Sequence, residues 1–386
     1  MPDVSLGAPL RIGVLFSTSG VTAVVERTQR AAVEMAVAEI NGRGGISGRR
    51  IEAVYADPAS DPKLYRLHAA RMIEEEDIRL FFGCYMSSTR KAILPVIEEN
   101  PALLFYPTLY EGFEFSSSCY YGGAAPNQNS IGLVRYLMQR FGGDFYLVGS
   151  NYVFPYESNR VMRDYILSEG GRVLQERYIP LEPHEADVAR VIAEIAAMKP
   201  TTIISTVVGD GTAMLYRAYA AAGFSPSHMP IGSLTTGEPE VAAIGARAAA
   251  GHFTAAPYFD TVDSPQNRAF LADYRKRFGP DAPVSAPTEA AWFQVHLLAQ
   301  AIARAGSDRI ADIREALPAC TVDAPQGPVR IDGENNHTFL WPRIGRVRPD
   351  GRFEIVSESR AAVKPDPYFI GPANADWAQA QPADAS

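Results

Sequence analysis

Residues 10–41 read LRIGVLFSTSGVTAVVERTQRAAVEMAVAEIN, which is an apolar run, a polar turn and a long amphipathic segment. The run Leu10–Phe16 is short and continuous, as in a strand buried on both faces. The turn Ser17–Gly20 consists of small residues that suit a tight connection. From Thr22 to Asn41 the apolar residues recur every three or four positions, which predicts a helix with one buried face. This order of strand, turn and helix is typical of the first unit of an α/β fold.

The same alternation continues along most of the chain. A helix capped by Asp61 and begun by Pro62 is expected in the first series, and a second series starts near Pro126. After Tyr258 the alternation fades, and the last twenty or so residues have the composition of a surface tail. Two series of strands and helices predict two lobes, each with a parallel sheet covered by helices on both faces. The predicted strands are 10–16, 51–55, 80–82, 103–105, 145–148, 173–178, 202–205, 229–233, 329–331 and 339–347, and the predicted helices are 22–41, 89–99, 128–141, 156–169, 185–198, 211–222, 264–278 and 287–305, besides the one that follows Asp61.

The charge balance argues against some partners and the N-terminus bears on location. The chain has 44 acidic and 36 basic residues, a net charge of −8, which disfavours direct binding of nucleic acid or an anionic membrane surface. No stretch approaches the length of apolar sequence that a membrane-spanning helix needs. The segment before Leu10 lacks the basic and apolar regions of a signal peptide. We therefore expect a cytoplasmic protein if Met1 is the native start, and a periplasmic one if a signal peptide has been removed.

The sequence predicts no catalytic residue, no metal ligand and no cofactor. Cys84 follows a strand, where nucleophiles are often placed, but no histidine lies near it in sequence. The three cysteines are scattered, which fits a reducing compartment, and the six histidines are isolated from one another. The glycine-rich segment Gly42–Gly48 follows a helix and lacks the spacing of a phosphate-binding loop.

Hydroxyl groups and tyrosine rings follow nearly every predicted strand. Ligands of parallel α/β sheets bind outside the carboxyl ends of the strands, and there this chain offers few carboxylates or basic side chains. Such a cleft suits a small, neutral, planar polar molecule such as an amide, whose donors and acceptors all need partners. A ligand of four heavy atoms gains at most about 6 kcal/mol, so the dissociation constant is on the order of tens of micromolar.

Several segments identify a family. The more specific are GCYMSSTRK at 83–91, YPTLYEG at 106–112 and STVVG at 205–209, and FSTSGVT at 16–22, APNQN at 125–129, SLTT at 233–236 and DAPQGPV at 323–329 accompany them. On these segments the chain resembles the type I periplasmic-binding-protein superfamily from about Leu10 to Trp377. Within that superfamily it is most similar to the amide-sensing negative regulators of aliphatic amidase operons (AmiC type). The urea- and short-amide-binding components of ABC transporters are close relatives.

The resemblance implies two Rossmann-like lobes joined by three crossings, with a ligand cleft between them. One lobe is expected to hold residues 1–123 and 257–335, and the other residues 124–256 and 336–386. The implied amide pocket consists of Tyr85, Ser87, Tyr106, Thr108, Tyr152, Phe154, Val208 and Thr235.

Within the implied pocket, Ser87, Thr108 and Thr235 would hydrogen-bond the amide while the tyrosines wall it in. Phe154 stands where the regulators have tyrosine, as in the urea-binding branch, and Leu109 stands where they have proline.

Three functional hypotheses follow. In the first, the chain is a non-catalytic sensor of a small aliphatic amide that sequesters an RNA-binding antiterminator, so that the partner and not this chain touches nucleic acid. In the alternative, it is the substrate-binding component of an ABC importer for urea or short amides and works with a permease. The third, an amide-processing enzyme, is disfavoured because no nucleophile with a neighbouring base is found. The sequence leaves open whether the chain forms a homodimer.

Overall fold

The computed structural model describes residues 7–368, so nearly all of the predicted C-terminal tail lies outside the described residues. Two separate central sheets confirm the expected two-lobed α/β fold. The first sheet has five parallel strands in the order β2-β1-β3-β4-β5. Its strands and helices are β1 (Leu10–Leu15), α1 (Ala23–Gly42), β2 (Ile51–Ala56), α2 (Pro62–Glu76), β3 (Leu80–Gly83), α3 (Ser87–Glu99), β4 (Leu103–Tyr106) and β5 (Cys119–Tyr121).

Local sequence explains most of these boundaries. The Asp61 side chain accepts a hydrogen bond from the Lys63 backbone N–H, and Pro62 occupies the first turn, as predicted for α2. Strands β3 and β4 are buried at every position, which parallel strands covered on both faces require. Helix α3 begins at Ser87, two residues before the predicted start, and the short strand β5 was not predicted.

The second sheet begins with the chain's second series. Its first five strands along the chain are parallel to one another, and β10 was not predicted. The elements are α4 (Ser130–Phe141), β6 (Asp144–Ser150), α5 (Val153–Ser168), β7 (Arg172–Ile179), α6 (Glu185–Met198), β8 (Thr202–Thr206), α7 (Asp210–Ala221), β9 (Ile231–Ser233), α8 (Glu238–Ile244), α9 (Ala246–Ala249) and β10 (Phe253–Ala256).

The C-terminal third contributes to both lobes. Helices α10 and α11 pack beside α1, and a small antiparallel sheet, β11-β12-β13, follows them. The last two strands then extend the second sheet: β14 pairs antiparallel with β10 and β15 pairs antiparallel with β14, which corrects the prediction that this sheet is wholly parallel. The elements are α10 (Pro265–Phe278), α11 (Ala286–Ala305), α12 (Ile310–Ala316), β11 (Thr321–Ala324), β12 (Gly327–Ile331), β13 (Thr338–Phe339), β14 (Arg343–Val347) and β15 (Phe353–Glu358).

The strand predicted over 339–347 is in fact two strands in different sheets. β13 ends at Phe339 and β14 starts at Arg343, with Pro342 between them. Proline has no N–H to donate to a ladder, so the strand cannot continue through it. Within residues 7–368 the chain passes between the lobes three times, in the segments 122–129, 257–264 and 340–342.

The fold brings the carboxyl ends of the two sets of strands to face each other. β3 and β4 end on one side of the cleft, and β6, β8 and β9 end on the other. The first crossing lies against this region, because a Cβ on Gly123 would fall 2.0 Å from the carbonyl carbon of Thr108. No side chain fits there, so glycine is required for the crossing to pass. Among residues 7–368 no helix is both long and apolar enough to cross a membrane.

Candidate ligand-binding site

A cavity of about 190 Å³ lies between the two lobes. Each of its walls comes from the loop or the first helical turn that follows a strand, where parallel sheets place their ligands. Seven of the eight predicted residues line it, and Leu109 completes the wall. The lining residues are Tyr85 and Ser87 after β3, Thr108 and Leu109 after β4, Tyr152 and Phe154 after β6, Val208 after β8, and Thr235 after β9.

Tyr106 is the predicted residue that does not line this cavity. Its hydroxyl donates to the backbone carbonyl of Tyr85 at 2.7 Å, and its ring lies 4.7 Å from the guanidinium carbon of Arg90. Tyr106 therefore lies behind the wall, where it holds the Tyr85 backbone in place. Tyr106 is still the last residue of β4, and its side chain points into the layer beneath the strand ends.

The three predicted hydroxyls already donate their protons to the protein. Ser87 donates to Glu111, and Thr235 donates to the carbonyl of Val207 at 2.7 Å. Thr108 donates to the carbonyl of Cys84 at 3.4 Å and accepts from Gln29 at 3.1 Å. A hydroxyl has one proton and two lone pairs, so these groups can only accept a hydrogen bond from a ligand.

Two tyrosine hydroxyls, in contrast, can donate a hydrogen bond to a ligand. Neither Tyr85 nor Tyr152 makes a side-chain hydrogen bond to another residue within 7–368, and both line the cavity. Burial, followed by the charge of Glu240 for Tyr85 and by Tyr106 for Tyr152, raises the pKa of each phenol well above its ordinary value. Both phenols stay protonated at neutral pH, so each can donate to a ligand oxygen.

A buried charge cluster lies directly behind Ser87. The guanidinium of Arg90 is fully buried, donates to the Ser87 hydroxyl oxygen at 3.2 Å, and lies 3.4 Å from a Glu111 oxygen. Its Nε donates to Glu114 at 2.7 Å. Burial alone would raise the pKa of Glu114, but Arg90 and then Lys91 outweigh it and lower that pKa to about 2.

Sequence reasoning missed this cluster, although a signal was present. Ser87 and Arg90 stand three residues apart, so they share a helix face once α3 begins at Ser87. Glu111 lies in the quoted segment after β4, which ends beside β3 in the same sheet. The predicted start of α3 hid this signal. A helix that begins at Thr89 leaves Ser87 outside it, so Ser87 and Arg90 would not share a helix face.

A second, larger cavity of about 570 Å³ adjoins the first and shares Tyr85, Leu109 and Thr235 as walls. It runs along the first two crossings and is mostly apolar. Two carboxyl side chains, Glu238 and Glu240, also line it. Burial raises the pKa of Glu240 to about 7, while a hydrogen bond from the Gly237 N–H partly opposes the rise. Sequence analysis did not predict this space.

The two lobes touch each other beside the small cavity. Val25, Tyr85 and Met86 of the first lobe form one apolar cluster with Val208 of the second. Tyr152 and Leu181 pack on the edge of this cluster. The two lobes are therefore in direct apolar contact beside the cavity.

Metal and nucleophile chemistry have little support in the part of the chain that the structure describes. No three His, Cys, Asp or Glu side chains among residues 7–368 come close enough to hold a metal ion. Cys84 is fully buried, and burial, reinforced by the charge of Glu26, raises the pKa of its thiol well above the ordinary value. A thiol in this state is a poor nucleophile.

Comparison with known proteins places this geometry in context. Residues 10–371 match the family described as periplasmic binding protein domain. A curated relative, the Leu/Ile/Val-binding protein homolog 6 of Brucella suis, is 24% identical over 336 residues, which are 85% of each chain.

Solved structures share the fold across nearly the whole chain. An ABC-transporter solute-binding protein of Rhodopseudomonas palustris, in complex with p-hydroxybenzoic acid, has a TM-score of 0.85 at 21% identity and covers 94% of this chain and 99% of its own. A branched-chain amino acid transporter substrate-binding protein of Streptococcus pneumoniae, in complex with isoleucine, has a TM-score of 0.80 at 18% identity over 90% and 99%. The expected type I fold is therefore confirmed.

Proposed function

Because this chain belongs to the periplasmic binding protein family, we propose that it is a non-catalytic receptor for a short aliphatic amide or urea. The ligand would lie in the cavity of about 190 Å³ between the lobes. One observation carries the proposal: the protons of Ser87, Thr108 and Thr235 are committed to the protein, whereas the hydroxyls of Tyr85 and Tyr152 are not.

This pattern matches the chemistry of an amide. An amide NH₂ group brings two donors, which the lone pairs of the serine and threonine hydroxyls can accept. Its carbonyl oxygen accepts, and the phenols of Tyr85 and Tyr152 can donate to it. A carboxylate of the same shape has oxygen in place of the NH₂ group. The lone pairs of that oxygen would point at the lone pairs of the serine and threonine hydroxyls, and no hydrogen bond could form. An unpaired buried polar group costs about 1–3 kcal/mol, which is enough to discriminate between the two.

The size of the cavity supports a small ligand. The space of about 190 Å³ includes volume open to solvent, so at about 30 Å³ for each water-sized group it sets an upper bound of roughly six such groups. Acetamide, propionamide, butyramide and urea all fall within this limit. Because Leu109 and Thr235 also border the larger cavity, an alkyl chain longer than that of butyramide could extend into it.

A carboxylate ligand is the second candidate. Helices α3 and α5 begin beside the cavity, and neither N-cap residue makes a side-chain capping bond. Free N–H groups at helix N-termini favour an anion. The solved relatives named above hold p-hydroxybenzoic acid and isoleucine, both of which carry a carboxyl group.

Titration calorimetry with matched ligand pairs decides between the candidates. Acetamide with acetate, propionamide with propionate, and benzamide with benzoate match in shape and differ in NH₂ against O⁻, that is, in hydrogen-bonding character and in charge. Urea and isoleucine complete the panel. The proposal expects the amides or urea to bind at micromolar to millimolar concentration and each carboxylate at least tenfold more weakly. Binding of benzoate or isoleucine without binding of any amide would overturn it.

For the biological role, the curated and solved relatives favour the solute-binding component of an ABC importer, which hands its ligand to a permease. The sequence resemblance supports the other role, a regulator that sequesters an RNA-binding antiterminator and releases it when an amide binds. Fractionation of cells that carry the full-length gene tests both. A periplasmic receptor whose deletion abolishes uptake of labelled amide or urea supports transport, whereas cytoplasmic co-purification of an RNA-binding protein that acetamide releases supports regulation.

The proposed receptor performs no chemistry on its ligand. Incubation with acetamide or urea is expected to release no ammonia above the buffer rate. Sustained ammonia release, lost on denaturation, would contradict this part of the proposal.

A further inference from the structure

The selectivity of the cavity depends on a residue outside it. Glu111 is 2% exposed and does not line the cavity, yet it accepts the hydroxyl proton of Ser87, which does. The Arg90 guanidinium donates to the same hydroxyl oxygen at 3.2 Å. The Ser87 oxygen thus has its proton and one lone pair occupied, and a single lone pair remains for a ligand.

The surroundings hold Glu111 in its role as acceptor. Arg90 lies 3.4 Å from the other oxygen of Glu111, and Lys91 lies 3.9 Å from it. The guanidinium of Arg90 lies over the rings of Tyr106 and Tyr110, at 4.7 and 4.8 Å from their centroids. Both cations lie beside the oxygen that Ser87 does not use, so the remaining oxygen is left to accept the Ser87 proton.

We infer that Glu111 is a positioning residue that makes Ser87 an acceptor toward the ligand, and that it thereby selects amides over carboxylates of the same shape. The inference rests on the proposed function. The inference adds to the proposed function by assigning the discrimination between amides and carboxylates to the Glu111–Ser87 hydrogen bond rather than to the residues of the cavity wall. Hydrogen bonds join the three residues that take part, Arg90, Glu111 and Ser87.

The substitution Glu111→Gln tests this directly. A glutamine amide can donate its N–H to the Ser87 oxygen and accept from Arg90 with its carbonyl, which frees the Ser87 proton to point into the cavity. The quantity measured is the ratio of the dissociation constants of acetate and acetamide, by calorimetry on the full chain. We expect this ratio to fall at least tenfold in E111Q, by gain of acetate binding and loss of acetamide binding together.

Glu114→Gln is the matched control. Glu114 pairs with the same arginine at 2.7 Å and with Lys91 at 2.6 Å, so its loss changes the local charge by the same amount, but the Ser87 hydroxyl bonds to Glu111 and Arg90 and not to Glu114. The ratio is expected to stay within about twofold of the wild-type value. An equal fall of the ratio in E111Q and E114Q would show a general effect of charge and overturn the inference.

A second variant tests the inference if E111Q does not fold. Ser87→Ala removes the hydroxyl oxygen that accepts from the ligand. It is expected to weaken the binding of acetamide severalfold and to leave the binding of acetate unchanged or stronger. Equal weakening of both ligands would mean that Ser87 donates to the ligand, and the inference would be wrong. Where E111Q does fold, adding it to S87A is expected to leave the ratio of acetate to acetamide dissociation constants unchanged. If neither acetamide nor urea binds the wild type, the proposed function itself fails, which is a distinct outcome.

Discussion

Gly209 and Val21 meet across the cleft so closely that a Cβ on Gly209 would lie 2.6 Å from the Val21 carbonyl oxygen and 2.5 Å from its Cγ1. Gly209 precedes α7 in the second lobe, and Val21 precedes α1 in the first. Real Cβ atoms do not approach other atoms to such distances. Glycine at this position therefore allows the lobes to close over the cavity.

The substitution Gly209→Ala is expected to hold the lobes apart. The amide ligand should then bind at least tenfold more weakly, a loss of about 1.4 kcal/mol, and the radius of gyration measured by X-ray scattering with ligand should stay above that of the wild type. Gly223→Ala is the control, because Gly223 also has a positive φ, of 75°, but a Cβ added there would have no neighbouring atom within 4 Å. Wild-type affinity in G209A would contradict the prediction.

Removal of the Tyr152 hydroxyl is expected to weaken ligand binding without changing the free energy of unfolding. The hydroxyl lines the cavity and makes no hydrogen bond to residues 7–368, so Tyr152→Phe costs only the bond to the ligand, about 1 kcal/mol or roughly fivefold in affinity. The control is Tyr156→Phe, whose exposed hydroxyl donates to Asn151 at 3.0 Å outside the cavity. Calorimetry measures ligand affinity and guanidinium chloride unfolding measures stability. Equal affinities in both variants would be inconsistent with a donor at position 152.

Stability should depend on pH through the buried glutamate beside the larger cavity. Burial raises the pKa of Glu240 from 4.5 to about 7, so between these values the folded state binds a proton that the unfolded state does not. The contribution of Glu240 to stability is therefore complete below about pH 4.5 and is lost as the pH rises to about 7. The change amounts to about 3 kcal/mol.

The variant Glu240→Gln isolates this contribution. A glutamine stays neutral and keeps an oxygen for the Gly237 N–H, which Glu240 accepts at 2.9 Å. The unfolding free energy of E240Q minus that of the wild type is expected to increase between pH 5 and pH 7.5. The difference is the useful quantity because burial lowers the pKa of His252 to about 3, so His252 changes stability in the opposite direction. The exposed Glu182→Gln serves as control, and parallel pH profiles for E240Q and the wild type would refute the prediction.

The three cysteines should be unreactive in the folded protein. Cys84, Cys119 and Cys320 are buried, and burial raises the pKa of each thiol. Ellman's reagent is therefore expected to titrate none of them within minutes in native buffer and all three in guanidinium chloride. Rapid reaction of one thiol in the native state would indicate an opening of the lobe that holds it.

Much of the site was accessible from sequence because the rule behind it is topological. Loops after parallel strands gather at one edge of a sheet, so Tyr85, Thr108 and Thr235 could be expected together although they are far apart in the chain. Tyr106 shows the limit of this reasoning. A shift of one or two residues in the end of a strand moves a side chain from the cavity to the layer behind it.

The amino-acid sequence by itself determined the alternation of strands and helices and the two-lobed α/β class, because hydrophobic periodicity is a local property. Only the tertiary structure decided which hydroxyls donate and which accept. Ser87 gives its proton to Glu111, 24 residues away, and Thr235 gives its proton to Val207, 28 residues away. A hydroxyl proton turns toward whichever acceptor packing brings near, and no local pattern in the chain encodes that direction.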